Sequence, residues 1–213
     1  MENIITKVEV QKNNKKRVNV YINEDYAFSC DAELVYKYDL KKSKLVDLEQ
    51  IKDIITADNL MKAKNDALKY LERSYKTEKE LRDKLYKKGY DETTVQGTVA
   101  FLKEYNFLND EKYIEIYIKD KQKRSGKNKL KYDLIKKGID EEIIQEFTSK
   151  MEAGVEDDTA ESLAAKKYQI IIKRETDKKK IYEKLLRFLV NKGFSWEIAK
   201  KAIGKVMEFQ IEE

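Results

Sequence analysis

The sequence contains no histidine and no proline, and Cys30 is the single cysteine in 213 residues. Without histidine there is no imidazole metal ligand and no serine or cysteine nucleophile that depends on a histidine base. A lone cysteine excludes an intrachain disulfide, so we expect Cys30 to be a small buried side chain in a cytoplasmic protein. Because proline is absent, no helix interior is interrupted by it.

Long apolar runs are also missing, and the start MENIITKVEVQ lacks the basic and then apolar pattern of a signal peptide. The seven glycines are scattered, which excludes a glycine-rich phosphate loop. Neighbouring acids such as Glu141 and Glu142 point in different directions on a helix, with no further ligands converging in sequence. We expect no enzyme activity, no catalytic residue, no cofactor, no metal and no membrane attachment.

Charged residues make up 40% of the chain, and their distribution is uneven although the net charge is only +5. Between Lys119 and Lys131, seven basic residues stand against a single acid, Asp120. The stretch from Glu152 to Glu161 holds five acids and no base. Its glycine and polar composition predicts a linker, which we place at 152–157.

The first 56 residues predict a small β-rich unit. The stretches IITKVEVQ and RVNVYI are β-branched and partly alternating, and the intervening KNNKK has the asparagines that a hairpin turn tolerates. A second turn at Asn23, Glu24 and Asp25 leads into YAFSC, a third strand. The following DAELVYKY begins with an aspartate cap and predicts a short helix.

The rest of the chain repeats one pattern three times: two leucines four residues apart, followed by glycine. The three copies are Leu81, Leu85 and Gly89; Leu130, Leu134 and Gly138; and Leu185, Leu189 and Gly193. The interval between the second and third glycines is longer than the first, and the extra residues fall where the acidic stretch lies. Variable connections of this kind are typical of repeat arrays.

The pattern inside each copy predicts a helix, a turn and a second helix. The leucines form an apolar ridge, and glycine ends the helix in the left-handed conformation. Asp91, Asp140 and Ser195 then follow as caps of the next helix. An amphipathic stretch upstream adds a third helix to each copy, and Thr77 with Glu80 forms a capping box ahead of Leu81.

We therefore predict a mainly α-helical monomer. Three tandem three-helix bundles in an elongated arrangement, at 57–107, 108–151 and 158–213, follow the β-rich unit at 1–56. Arrays of this kind usually bind macromolecules and rarely enclose a catalytic pocket.

The stretch ALKYLERSYKTEKELRDKLYKKGYDETTV, continued by AFLKEYNFLNDEKYIEIYI, resembles the core of the RecX family, the bacterial regulators of the recombinase RecA. The start ITKVEVQKNNKKRVNVYINEDYAFS resembles the β-rich extension of RecX proteins from low-GC Gram-positive bacteria. The resemblance covers most of the chain, is strongest between Ala67 and Gly138, and is weakest in the third copy.

The resemblance implies a non-catalytic regulator in homologous recombination, DNA repair and the SOS response. Such a protein would lie in the groove of the RecA nucleoprotein filament and bridge neighbouring protomers. It would inhibit filament extension, ATP hydrolysis, strand exchange and coprotease activity. A rod of several bundles suits that role, because contacts with two protomers at once gain affinity through effective concentration.

The best candidates for contact with RecA or DNA are the basic residues concentrated in the central repeat, which we call the basic cluster: Lys119, Lys121, Lys123, Arg124, Lys127, Lys129 and Lys131. They surround Ser125 and Gly126 at a junction between two helices, where side chains can fan towards phosphates. An alternative is that these lysines form an ordinary solvated face. Secondary candidates are Lys15, Lys16, Arg17, Lys173, Arg174, Lys178 and Lys179.

Aromatic residues are interpreted mainly as core. Tyr70, Tyr113, Tyr117 and Tyr168 fall at helical spacing beside aliphatic residues, where a tyrosine buries its ring and leaves its hydroxyl in water. We also expect Trp196 to anchor the core of the third bundle. This interpretation is favoured over base stacking on a single-strand binding platform.

Two other functions are consistent with parts of the sequence. A duplex-reading helix-turn-helix protein needs basic residues at the start of its recognition helix, but DETTV and DEEII are acidic there and would repel phosphate. A single-stranded DNA-binding protein that inhibits RecA only by competing for DNA remains an alternative. Relief of inhibition by excess DNA distinguishes it from direct binding to the filament.

Overall fold

The computed structural model describes residues 2–151 and 154–208. Within these ranges it contains three strands and ten helices, which fall into two compact units. One unit comprises residues up to 74 together with 81–108, and the other comprises 75–80 and the residues from 109 onwards. The prediction of a mainly helical protein with three three-helix repeats after a β-rich start is confirmed.

The N-terminal strands form one antiparallel sheet in the order β1-β2-β3, and a short helix follows. The bounds are β1 Ile5–Val10, β2 Arg17–Ile22, β3 Asp25–Asp31 and α1 Ala32–Lys37. Asn23 and Glu24 both have positive φ, at 51° and 73°, which is the conformation of a two-residue hairpin turn that matches strand twist. Asp31 caps α1 by accepting a hydrogen bond from the Glu33 amide at 3.0 Å, as predicted.

Helix α2, Leu48–Arg73, is 26 residues long and continues through the boundary predicted after residue 56. Asp47 caps its start, and it contains neither glycine nor proline to end it earlier. Ile54 packs in the core under the sheet, whereas Ala63 and Ala67 pack in the core of the first bundle. One helix therefore serves two hydrophobic cores, so the predicted boundary falls inside a continuous element.

The remaining helices form the three repeats, with α2 as the first helix of repeat one. Their bounds are α3 Glu78–Lys87, α4 Glu92–Glu104, α5 Asp110–Lys121, α6 Lys127–Lys136, α7 Glu141–Ser149, α8 Val155–Ile171, α9 Lys178–Asn191 and α10 Trp196–Glu208. All six repeated leucines are fully buried. Gly89, Gly138 and Gly193 have φ between 83° and 91°, which confirms the left-handed turn after each leucine helix.

The predicted caps are also confirmed. The Asp91 carboxylate accepts from the Thr94 amide at 2.7 Å, and the Asp140 carboxylate accepts from the Glu142 amide at 2.8 Å. Ser195 accepts from the backbone of α10 at 3.2 Å.

The acidic stretch was predicted to be a linker at 152–157, and this is wrong for residues 155–157, which lie in α8. Glu156 and Asp157 occupy the first turn, where negative charge is stabilised by the positive end of the helix dipole. The third repeat therefore begins before the predicted residue 158. Residues 152, 153 and 209–213 lie outside the described residues.

The four tyrosines predicted to lie beside the core are partly buried against it, as expected. The prediction for Trp196 is wrong, because its side chain is 55% exposed. Trp196 is the first residue of α10, and the ammonium of Lys200 lies 5.4 Å from its ring centroid. Phe194, two residues earlier and 2% exposed, fills the core instead.

The turn at Lys137 and Gly138 contacts residues 77–80, which belong mainly to the start of α3 and lie in the same compact unit. The Thr77 hydroxyl donates to the Lys137 carbonyl at 2.7 Å, and the Glu80 carboxylate pairs with the Lys137 ammonium at 2.5 Å. Thr77 and Glu80 also bond each other's amides at 3.2 Å, which confirms the capping box. A Cβ on Gly138 would lie 2.4 Å from the Lys79 side chain.

The turn at Lys192 and Gly193 is covered in the same way by the start of α6. The Gly126 amide donates to the Lys192 carbonyl at 2.9 Å, and the Asn128 amide donates to the Gly193 carbonyl at 3.1 Å. A Cβ on Gly193 would lie 2.3 Å from the Cβ of Lys129, and one on Gly126 would lie 2.5 Å from the Gly193 carbonyl. Both glycines are therefore required by close packing between the second and third bundles.

We predict that Gly193→Asn lowers the free energy of unfolding by about 1–3 kcal/mol, because its side chain overlaps α6. Gly89→Asn should lower it by less than about 1 kcal/mol, since asparagine tolerates the left-handed conformation and nothing lies within 4 Å of the added Cβ. Urea unfolding followed by circular dichroism at 222 nm measures both. Equal losses in the two variants would contradict the packing assigned to Gly193.

Candidate functional site

The basic cluster extends from the end of α5, through the connecting turn, to the first half of α6. Lys119, Lys123 and Arg124 are exposed, and the other four side chains are partly buried. The last three members, Lys127, Lys129 and Lys131, lie at the start of α6, which packs on the third bundle.

Several members of the cluster are neutralised by neighbouring acids. Asp120 pairs with Lys121 at 2.7 Å and with Arg124 at 3.3 Å, and Lys129 lies 3.5 Å from a carboxylate oxygen of Asp133. The hydrogen bond from Lys121 lowers the pKa of the Asp120 carboxyl. Within the described ranges, Lys119 and Lys123 make no ion pair.

The structure does not bring all seven cations to one surface. Lys127 and Lys131, four residues apart on α6, line a cleft of about 240 Å³ that also contains Ser195 of the third bundle. Glu156 closes one side of this cleft and accepts the Lys127 amide hydrogen at 2.7 Å. Lys119 instead lines a separate cleft of about 310 Å³ near the ends of α5 and α7.

The secondary candidates differ from one another in exposure. Lys15 and Lys16 are exposed near the tip of the first hairpin, and four more exposed cations follow α8: Lys173, Arg174, Lys178 and Lys179. Arg17 is different, because its guanidinium donates to Asp58 at 2.5 Å and to the Ser29 carbonyl at 2.8 Å. The expectation that Arg17 presents its charge to a partner is therefore corrected: only 14% of its side chain is exposed.

A larger cleft, of about 530 Å³, lies in the first unit and was not predicted from the sequence. We call it the hairpin cleft. It is lined by the hairpin turn, one face of α2 and the turn after α3: Asn14, Lys16, Arg17, Asp31, Asp58, Met61, Lys62, Asn65, Asp66, Lys69, Lys88 and Tyr90. The sequence signal that could have indicated this cleft is the alternation of acidic and basic residues four positions apart on α2.

Two buried or half-buried aspartates organise the hairpin cleft. Asp58 accepts from Arg17 and from the Asp31 amide at 2.9 Å, and it pairs with Lys62 at 2.7 Å. Burial acts to raise the pKa of the Asp58 carboxyl, but the bonds from Arg17 and Lys62 outweigh it and hold that pKa below its usual value.

Asp66 is held in the same way, by Lys88 at 2.5 Å and the Tyr90 hydroxyl at 2.7 Å. Burial opposes ionisation here too, yet these two bonds keep the pKa of the Asp66 carboxyl low. Burial and the neighbouring carboxylate in turn raise the pKa of the Tyr90 hydroxyl.

Burial, with the nearby Asp58 charge, raises the pKa of the Cys30 thiol to about 11, so it stays protonated at neutral pH. In the described part of the chain, no group of three or more cysteine and acidic side chains is placed to hold a metal ion. Nor does any helix in that part have the length and apolarity needed to span a membrane.

We predict that Asp58→Asn lowers the free energy of unfolding at pH 7 by about 3 kcal/mol, because it leaves the Arg17 charge buried without its partner. The folded-state pKa of Asp58 is depressed below the unfolded value of about 3.9. Its contribution is therefore complete above that value and is lost as pH falls through the folded pKa.

Urea midpoints of the wild type and Asp58→Asn, measured between pH 7 and pH 3, test this prediction. The two curves should converge as the pH falls. Asp39→Asn is the matched control, because the ion pair of Asp39 with Lys41 is exposed and contributes little to stability. A gap between the wild type and Asp58→Asn that stays constant down to pH 3 would contradict the assignment.

Comparison with family models accounts for most of the chain. The Regulatory protein RecX N-terminal domain matches residues 3–47. The first, second and third three-helix domains of RecX match residues 63–102, 109–146 and 155–203, respectively. The four matches follow one another in the order of the structural elements.

Individual relatives agree over nearly the full length. The Regulatory protein RecX of Clostridium perfringens strain 13 is 50% identical over 202 residues, which is 95% of each chain. That of Clostridium tetani is 48% identical over 205 residues, covering 96% of this chain and 95% of the relative.

Solved structures show the same fold. A crystal structure of regulatory protein RecX aligns with a TM-score of 0.75 and 27% identity, covering 95% of this chain and 99% of that one. RecX from Lactobacillus salivarius aligns with a TM-score of 0.63 and 27% identity, covering 70% of this chain and 97% of that one.

Proposed function

Because the chain belongs to the RecX family, we propose that it is a non-catalytic regulator of RecA that binds in the groove of the RecA-DNA filament. In this proposal it acts in the cytoplasm as a monomer and bridges neighbouring protomers. It inhibits filament extension, ATP hydrolysis, strand exchange and coprotease activity. The observation that carries the proposal is the ordered match of all four RecX domains along one chain.

The packing within the second unit supports a bridging role. The Gly126 and Gly193 contacts hold the second and third bundles together through backbone hydrogen bonds. Surfaces on the two bundles are therefore presented with a fixed spacing. A binder with a fixed spacing loses less conformational entropy when it contacts two protomers at once.

The charge distribution supports contact with a negatively charged partner. Lys119 and Lys123 have no acidic partner in the part of the chain that the structure describes, so their charges are available to DNA phosphates or acidic RecA side chains. Such contacts would contribute salt-dependent affinity.

A second candidate function is binding to single-stranded DNA, with inhibition of RecA only through competition for DNA. The exposed ring of Trp196, with Lys200 over it, favours this alternative, because an exposed aromatic residue beside a cation suits base stacking. Binding of this protein to DNA without RecA is the observation that distinguishes the two functions.

We predict that Lys119→Glu combined with Lys123→Glu weakens inhibition of the RecA ATPase by about tenfold, since two unpaired cations are replaced by repelling charges. The concentration of this protein that halves the single-strand-dependent ATPase rate is the measurement. Circular dichroism should show unchanged helicity, because both side chains are exposed.

The matched control is Lys42→Glu combined with Lys52→Glu, which changes the net charge equally at exposed positions in the first unit. Lys129 is not used, because its backbone packs on Gly193 and its side chain pairs with Asp133. Equal inhibition by the cluster variant and the wild type would exclude Lys119 and Lys123 from the interface. Equal weakening by both double variants would show that the loss of inhibition comes from the change in net charge alone.

A further inference from the structure

In the first of the three repeated glycine turns, at Lys88 and Gly89, no helix start among the described residues packs against the glycine. A Cβ added to Gly138 or Gly193 would collide with the start of another helix at 2.4 or 2.3 Å. A Cβ added to Gly89 would meet nothing within 4 Å. The three glycines share the same left-handed φ, so the first turn has the same local shape as the other two and lacks their occupant.

The two carbonyl groups of the first turn also differ from those of the other two turns. The Lys137 carbonyl accepts from the Thr77 hydroxyl, and the Lys192 and Gly193 carbonyls accept from the amides of Gly126 and Asn128. Across residues 2–151 and 154–208, no such bond reaches the carbonyl of Lys88 or Gly89. The first turn therefore offers two acceptors that have no donor within the part of the chain that the structure describes.

The first turn borders the hairpin cleft, to which Lys88 contributes its side chain. Five cations and three carboxylates line this cleft, a surplus of two positive charges. Arg17, Lys62 and Lys88 are paired with carboxylates, whereas Lys16 and Lys69 make no ion pair among the described residues. The first turn and the cleft beside it thus offer two carbonyl acceptors without a donor and two unpaired ammonium groups among the described residues.

We propose that the hairpin cleft is a docking site for the first turn of an α-helix from a partner protein. The partner helix has serine or threonine as its N-cap and glutamate at its third position. Its cap hydroxyl and first amides donate to the carbonyls of Lys88 and Gly89, and its glutamate pairs with Lys16 or Lys69. Thr77 makes the equivalent hydroxyl contact with the Lys137 carbonyl. Glu80 pairs there with the Lys137 ammonium, but its counterpart Lys88 is already paired with Asp66, so the proposed glutamate reaches Lys16 or Lys69 instead.

The chemistry of the cleft favours a helix start over nucleic acid. The carbonyl oxygens of Lys88 and Gly89 are acceptors, which the free amides of a helix start can satisfy by donating and an ionised phosphate cannot. A second copy of this chain is disfavoured, because the corresponding helix of the third repeat, α9, begins with three lysines at 178–180. An acidic first turn complements the surplus positive charge, and a basic one does not.

The test uses the full chain, labelled with ¹⁵N, and a synthetic alanine-rich helical peptide of about 16 residues. The peptide begins with Thr-Glu-Ala-Glu, which reproduces the capping box of Thr77 and Glu80. We expect saturable shifts of the amide signals of residues 88–90, Lys16 and Lys69, with no shift at Gly138 or Gly193. A control peptide with valine and lysine in place of the threonine and the second glutamate should shift none of them.

Gly89→Asn tests the geometry, because asparagine keeps the left-handed turn while its side chain fills the docking position. This variant should weaken peptide binding by at least about tenfold. Lys42→Asn, at an exposed position outside the cleft, should bind like the wild type.

Two outcomes would overturn the proposal. The first is equal binding of the peptide by Gly89→Asn and the wild type, or no shift at residues 88–90 with the wild-type chain. The second is self-association of the wild type in sedimentation velocity that Gly89→Asn abolishes, because it would assign the cleft to a second copy. RecA is not present in these measurements, so their outcome is independent of the proposed function.

Discussion

The close backbone contact between Gly126 and Gly193 is the constraint on which the second unit depends. No side chain can be added at either position without a separation of 2.5 Å or less from the opposing segment. Because the N-cap residue of α6 is Gly126, the helix has no side-chain cap of its own. Glu156 of the third bundle accepts the Lys127 amide hydrogen instead. The helix that carries three of the seven members of the basic cluster is thus capped by the bundle it packs against.

This contact shows that the glycine of the repeated leucine and glycine pattern has a second structural role. Within a repeat, the glycine ends one helix and allows the next to fold back. Between segments, its missing side chain and its turn carbonyls accept the start of another helix. At Lys137 the same turn also holds an ion pair: burial would lower the pKa of the Lys137 ammonium, but Glu80 and Tyr113 outweigh that effect and raise it.

Local physical rules made much of the fold predictable. The aspartate caps, the capping box and the left-handed glycines depend on residues fewer than five apart, so the sequence pattern was sufficient. The continuous α2 and the start of α8 were misjudged because the composition signals at residues 56 and 152–157 do not break a helix. Trp196 was misjudged because the first residue of a helix faces solvent here, and Phe194 before the cap fills the core.

The candidate sites were less predictable, because they depend on contacts between distant residues. The basic cluster is contiguous in sequence, yet the structure distributes it over two clefts and pairs several members with acids. Arg17 and Asp58 are 41 residues apart, so no local pattern indicates their ion pair. The hairpin cleft likewise joins the hairpin turn to the turn after α3, which only the folded chain brings together.

Direct binding to the RecA filament is the central claim about function, and one measurement tests it most directly. The rate of single-strand-dependent ATP hydrolysis by RecA is measured with substoichiometric amounts of this protein, at increasing excess of single-stranded DNA. Binding in the filament groove predicts that inhibition persists as DNA is added. Inhibition that disappears in excess DNA, or no inhibition at any concentration, would contradict it.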